Sequence, residues 1–156
     1  MHIRKYQAGE EEELWNLFFH TIHTVNCRDY TEEQVQAWAP NEADKEKWRQ
    51  RIAGMNPWVC IHEETIVGYA GLLKSGYVDH FYVHHAWQGQ GVGKQLYKKM
   101  EEEAVALQLH ELTSDVSITA RPFFELQGFQ VVTPQEVKLG NVVLINFKMR
   151  KQMKSV

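Results

Sequence analysis

The sequence predicts a mixed α/β (α+β) chain built on a mostly antiparallel sheet. Three observations lead there. Apolar residues near the N-terminus recur at helical spacing, whereas from residue 57 they fall into period-two runs. A long amphipathic helix at 93–109 lies between two of those runs, as a β-α-β crossover requires. The remaining strands are joined too tightly for anything but antiparallel pairing.

Each element has its own warrant. Residues 1–7 alternate and suit a first strand. EEEELWNLFFHTIHTV, 10–25, places Leu14, Leu17, Phe18, Ile22 and Val25 on one face, with acids in the first turn where the helix dipole favours them. Residues 26–30 interrupt it. Thr31 and Gln34 fit a capping box that opens a second helix, and Pro40 ends it. A more polar third helix is expected at 42–53. PWVCIHE (57–63) and TIVGYAGLLK (65–74) read as strands meeting at Glu63-Glu64, and GYVDHFYVHH (76–85) as a third, rich in aromatic and branched residues. The 93–109 helix carries Leu96, Met100, Ala104 and Leu107 on one stripe. ELTSDVS (111–117) is strand-like. ITARPFFELQ (118–127) is a short helix with Pro122 in its first turns, stopped by Gly128. GFQVVTP (128–134) and NVVLINFKMRK (141–151) supply the last strands. The expectation is six to seven strands and four to five helices.

No repeat, low-complexity tract or linker divides the 156 residues, so one domain is expected over 1–156. A chain 44% hydrophobic and 24% charged is neither disordered nor membrane-like, and no run nears the ~18 apolar residues of a span. The N-terminal MHIRKYQAGEEEE lacks the apolar core of a secretion signal. A formal charge of −3 gives no global pull toward nucleic acid, so any anion site must be local. Cys27 and Cys60 form no CxxC motif and read as reduced thiols of a cytoplasmic protein.

The stretch QGQGVGK, 88–94, lies between a strand and a helix and holds three glycines. Backbone N–H groups at a helix N-terminus converge there, and missing Cβ atoms let phosphate oxygens approach. The nucleoside-triphosphate loop GxxxxGK[ST] does not fit, because Gln88 occupies its first glycine position and Gln95 follows Lys94. The GxGxxG fingerprint fails on the spacing of Gly89, Gly91 and Gly93. What remains is Q-x-x-G-x-G, as Gln88, Gly91 and Gly93, followed by ARPFFELQGF at 120–129.

Together these blocks resemble the GNAT acetyltransferase superfamily. GYVDHFYVHHAWQGQGVGKQLYKKMEEEA is similar to its strand and pyrophosphate loop, SITARPFFELQGFQVV to its following strand-helix-strand motif, and NFKMRK to its last strand. The likeness is tight over 60–135. It implies a V-shaped splay in the sheet, acetyl-CoA as donor with CoA as product, and direct transfer of acetyl to a primary amine of a small molecule or peptide. It also implies a division into acceptor-side helices (1–56), an acetyl-CoA core (57–135) and a C-terminal strand (136–156). Backbone groups of Phe81, Tyr82 and Val83 would pair with the pantetheine arm. N–H groups of Gln88, Gly89, Gln90, Gly91, Val92, Gly93 and Lys94 would hold the pyrophosphate.

For catalysis the resemblance points to the strand before the loop. Asp79 and His80 are neighbours, so strand alternation predicts opposite faces, with Asp79 beside Phe81 and Val83. One of the two, Asp79 by preference, is expected to orient or deprotonate the amine. The alternative keeps Asp79 in an ion pair and His80 as a satisfied core histidine. Many relatives carry a tyrosine that protonates the leaving thiolate; here the block reads Phe123-Phe124-Glu125. Phe124 has no proton to give and is read as a contact to CoA or plain core. Ser117, a tyrosine or the amine's own proton stay open as sources. The family's acceptor segment corresponds to HTIHTVNCRDY, where His23, Asn26 and Tyr30 are expected contacts and Trp38 a wall. No metal is expected, since His80 and His84 would lie ~13 Å apart along a strand. The runner-up reading is a non-catalytic acyl-CoA sensor, or transfer of another acyl group. No nucleic-acid or membrane partner is expected, and a homodimer stays open.

Overall fold

A computed structural model describes residues 1–154; residues 155 and 156, the end of the expected 136–156 segment, lie outside the described residues. Its strands are β1 (His2–Lys5), β2 (Trp58–His62), β3 (Thr65–Leu72), β4 (Tyr77–Val83), β5 (Glu111–Ser117), β6 (Gln130–Leu139) and β7 (Val142–Gln152). The helices are α1 (Glu11–Thr24), α2 (Glu32–Trp38), α3 (Lys45–Met55), α4 (Val92–Ala106) and α5 (Arg121–Leu126). The strands form one sheet in the order β1-β2-β3-β4-β5-β7-β6. Its only parallel pair is β4–β5, the two strands joined by α4.

Local chemistry explains most boundaries. Thr31 and Gln34 form the expected reciprocal capping box at the start of α2. The α3 start falls later than residue 42, because the Asp44 side chain accepts from the Lys47 N–H and caps the helix there. The α4 end falls earlier than 109: Gln108 turns left-handed (φ 57) and the Leu109 N–H closes back onto the Ala104 carbonyl. β6 is longer than 128–134 and runs through Pro134. It is an edge strand, where a missing N–H breaks no central ladder. The division drawn at 135/136 therefore falls inside a strand.

The two faces of the sheet hold separate cores. On one, α1, α2 and α3 bury Leu14, Ile22, Val35 and Ile52 against Val59, Ile66 and Tyr69. On the other, α4 and α5 bury Leu96, Met100 and Phe124 against Val67, Val78, Leu112 and Met149. Leu96, Met100 and Ala104 form the stripe that the α4 period predicts, but Leu107, expected on it too, lies past the helix end and is exposed.

The sheet opens in the middle. β4 and β5 pair only at Tyr77↔Thr113 and Val78↔Ser114. Beyond that point β5 stays with β7 as far as Ser117↔Asn146, while residues 79–83 of β4 keep only β3. A bulge sits where they part: Ala70 pairs with Phe81 and Leu72 with Val78, two steps on β3 against three on β4. The extra residue bends and twists β4 away from β5.

Candidate active site

The mouth of the splay is the glycine loop. A short turn at 85–87 leads out of β4, with His84 Nδ1 accepting the Ala86 N–H at 3.0 Å. The Gln88 amide donates back to the Val83 carbonyl at 2.7 Å, tying the loop to the end of β4. Gly89 (φ +70) and Gly91 (φ +84) are left-handed, with no atom within 4 Å of where a Cβ would stand. Their value is therefore conformation and open approach. Gly93 serves packing: a Cβ there would meet the Phe123 ring at 3.2 Å. No side chain caps α4, so its first N–H groups point into the opening without a side-chain acceptor.

Loop and splay are continuous with one cavity of about 540 Å³. Gln88, Gly89, Gly91, Val92, Gly93 and Lys94 line one end, with Phe81, Tyr82, Val83 and Phe124 along the slot. The other end is walled by α1, α2 and the β6–β7 ribbon, and Asn26, Tyr30 and Trp38 all reach it. Gln90 does not; its amide donates to the Ala86 carbonyl at 3.3 Å. His23 does not either. Its Nε2 sits 2.7 Å from the Ala39 carbonyl and its ring stacks on Phe19 at 4.1 Å, so this histidine fastens α1 to the end of α2. The expected acceptor contact at His23 is therefore not made: its ring packs between α1 and the end of α2, outside the cavity.

The bulge overturns the opposite-face expectation for Asp79 and His80. Phe81 pairs with Phe123 (5.2 Å) and Phe124 (5.7 Å) on the α4–α5 side. Asp79 instead meets Arg51 of α3 at 2.9 Å, and His80 stacks on Phe18 at 5.4 Å beneath the same helices. Simple alternation fails because two residues of β4 oppose one of β3. Asp79 and His80 consequently face the acceptor end together, and both line the cavity. Burial holds the His80 imidazole down to about 3, with the Arg51 charge adding to the effect, so the ring is neutral at physiological pH. Its Nδ1 lies 2.9 Å from the Tyr69 hydroxyl. Burial also pushes the Tyr69 and Tyr82 phenols well up.

Tyr30 is a brace as well as a wall. Its hydroxyl donates to the Ile145 carbonyl at 2.6 Å and accepts the Ile118 N–H at 2.9 Å, joining the α1–α2 turn to β7 and to the end of β5. Phe124 is 3% exposed, edge-on to Phe129 at 5.0 Å, and completes the apolar floor of the slot. Ser117 also lines the cavity; its hydroxyl oxygen accepts the Ala120 N–H at 3.0 Å.

Sequence reasoning missed three polar groups here. Arg51 sits on the polar third helix, α3. Asp115 accepts from the Tyr77 hydroxyl and the Gln135 amide, each at 2.8 Å. Asn146 accepts from the same Gln135 amide at 3.0 Å. The alternation of ELTSDVS places Asp115 on the face opposite buried Leu112 and Val116, which was a usable signal. Among the described residues no helix is long and apolar enough to cross a membrane.

With this geometry in hand, comparison with known proteins is direct. The family model described as "Acetyltransferase (GNAT) domain" matches residues 26–151. A curated protein of Escherichia coli (strain K12), "Uncharacterized N-acetyltransferase YafP", is 33% identical over 148 residues, covering 95% of this chain and 93% of its own length. The crystal structure of a GCN5-related N-acetyltransferase from Rhodopseudomonas palustris, described as "Aminotransferase, Class-II", superposes with a TM-score of 0.93. It is 29% identical, over 97% of this chain and 95% of that one. The PaiA N-acetyltransferase of Thermoplasma acidophilum, solved with coenzyme A, shares the fold at a TM-score of 0.77 and 18% identity, over 97% and 98% of the two chains.

Proposed function

The chain belongs to the GNAT acetyltransferase family, and from that premise we propose that it moves the acetyl group of acetyl-CoA to a primary amine of a small molecule or peptide by direct attack. One observation carries the reading. The strand pair β4–β5 parts after Val78–Ser114, and an uncapped α4 N-terminus stands at the mouth of that same opening, so a slot and an anion cradle form one cavity.

The residues fit acetyl-CoA. The β5-facing side of 79–83 lacks a strand neighbour, so backbone groups of Phe81, Tyr82 and Val83 would pair with pantetheine amides as an added strand does. The bare positions at Gly89 and Gly91 leave room for pyrophosphate oxygens against the N–H groups of residues 88–94, with Lys94 at the rim. Acetyl-CoA supplies an acyl group already activated as a thioester. The proton balance is simple: the amine nitrogen loses one proton and the CoA sulfur gains one.

What the chain adds is position and proton handling. Asp79, held by Arg51 at 2.9 Å, accepts a hydrogen bond from the incoming amine and takes its proton directly or through water. His80, neutral and bonded to Tyr69, is a positioning residue, its ring fixed by that bond and by its stack on Phe18. Phe124 excludes water from the slot and gives no proton; Ser117 and Tyr82, which line the cavity and whose hydroxyl hydrogens are unclaimed within the described residues, are the hydroxyls available to the departing sulfur. We read 1–156 as one catalytic domain. We place it in the cytoplasm, since exposed Cys27 and buried Cys60 are both unpaired.

The test is calorimetric titration with acetyl-CoA, CoA and ATP, followed by thiol release with a panel of amines. Tight binding of both CoA species, weak binding of ATP and amine-dependent thiol release are expected. Absence of CoA binding would reduce the glycine loop to a turn and end the proposal.

A further inference from the structure

The acceptor end of the cavity has a charge pattern that selects among amines. Among the described residues two acids line it, Asp79 and Asp115. Both Asp115 oxygens are already taken, by the Tyr77 hydroxyl and the Gln135 amide at 2.8 Å each. Asp79 has one oxygen on Arg51 at 2.9 Å; its Oδ2 accepts nothing from the described residues. The unbonded Asp79 oxygen is the place for one ammonium group; a second on Asp115 would have to share oxygens that already accept from Tyr77 and Gln135. Arg51 in turn spends a single N–H of its five on Asp79, its side chain is 55% exposed, and it lines the same cavity. An arginine fork with unspent donors recognises a carboxylate in bidentate fashion. The remaining wall carries Phe18, Val25, Trp38, Val137, Leu139 and Leu144 as its apolar part, with Asn26, Tyr30 and Asn146 as uncharged polar groups between them.

We propose that the acceptor is a free α-amino acid with an apolar or aromatic side chain, its amine on Asp79, its carboxylate on Arg51 and its side chain against that wall. The ion pair supports this specifically. Opposite charges in contact on the protein present an ammonium site and a carboxylate site at the short spacing found within one α-amino acid. A polyamine or an aminoglycoside would leave Arg51 facing a like charge. A peptide N-terminus would bring no α-carboxylate to Arg51. The inference rests on the acetyltransferase reading, since it assigns the acceptor of that same cavity.

The experiment measures thiol release and, separately, calorimetric binding to the CoA-loaded protein. The probes are L-leucine, L-phenylalanine, their amides, phenethylamine, spermidine, kanamycin and a short peptide with a free N-terminus. The apolar amino acids are expected to give the highest kcat/KM. Their amides should lose about ten- to a hundredfold, the worth of charged hydrogen bonds to Arg51. Arg51→Gln should raise KM for the amino acid by a similar factor and leave CoA binding unchanged, while phenethylamine, which has no carboxylate to lose, should show a much smaller change in KM; Arg51→Lys should recover part of the loss. Equal use of acid and amide, an Arg51→Gln protein with unaltered KM, or preference for spermidine, kanamycin or the peptide would overturn the inference while leaving the acetyltransferase reading intact. Bound CoA with no amine turned over would overturn both.

Discussion

His80 offers the sharpest test of the acceptor-side architecture. It is 6% exposed, stacked on Phe18 and bonded to Tyr69. Burial lowers it from 6.5 to about 3, with Arg51 contributing in the same direction. A histidine whose folded pKa lies below its unfolded value leaves stability untouched above that unfolded value. As pH falls below about 6.5, the unfolded chain takes up the proton first and the fold loses stability, a loss that is complete near 3. The full effect of such a shift is about 5 kcal/mol, and by pH 5 the linkage relation gives about 2 kcal/mol. That is a large part of an ordinary stability of about 5–15 kcal/mol, and it lowers Tm by roughly 4–8 °C in a chain of this size. The variant is His80→Gln, whose amide can still bond Tyr69. Urea unfolding at pH 8 and pH 5 on both proteins isolates the histidine, because every other titrating group is common to the two. The wild type should lose about 2 kcal/mol more than the variant between those conditions. Equal losses would mean that His80 is not buried neutral, and its assignment as a positioning residue would fall.

Two further outcomes follow from the geometry. Gly91→Ala forces a left-handed φ of +84 on a residue with a Cβ, costing about 1–2 kcal/mol, and points that Cβ into open space where phosphate oxygens approach. Calorimetry should show CoA affinity falling at least tenfold, with Tm lowered by roughly 2–8 °C, and unchanged affinity would detach the loop from the pyrophosphate. Tyr30→Phe strands the Ile145 carbonyl and the Ile118 N–H, so unfolding free energy should fall by about 2–3 kcal/mol while CoA affinity stays put. An unchanged urea midpoint would show that the hydroxyl brace carries no load.

The readable and unreadable parts of this chain divide along a physical line. Element type was legible because helices bury one stripe and strands one face. Leu14, Leu17, Phe18 and Ile22 of α1 are all buried, and so are Leu112, Ser114 and Val116 of β5. The cofactor end was legible because backbone groups do the work there. A backbone cradle needs glycines at fixed spacing in one contiguous stretch, and QGQGVGK is such a stretch. The acceptor end is built from side chains on α1, α2, α3, β4, β5 and the β6–β7 ribbon, which no local spacing brings together. Hence no local pattern singles out Arg51 or Asp115, and the expected contact at His23 falls outside the cavity.

The one local rule that failed outright is also the one that matters most for the chemistry. Period-two alternation placed Asp79 and His80 on opposite faces, and a single extra residue in β4 turns them to the same one. Without the bulge, Asp79 would point with Phe81 toward α5, away from Arg51, and the acceptor end would hold the neutral histidine with no carboxylate beside it to meet an ammonium group. With it, the carboxylate, its arginine partner and the neutral imidazole share one wall of the cavity. The same extra residue sits where β4 leaves β5. One backbone irregularity therefore accompanies both the slot for the donor and the side-chain set that meets the amine. The bulge couples them: regularising β4 would close the first and scatter the second.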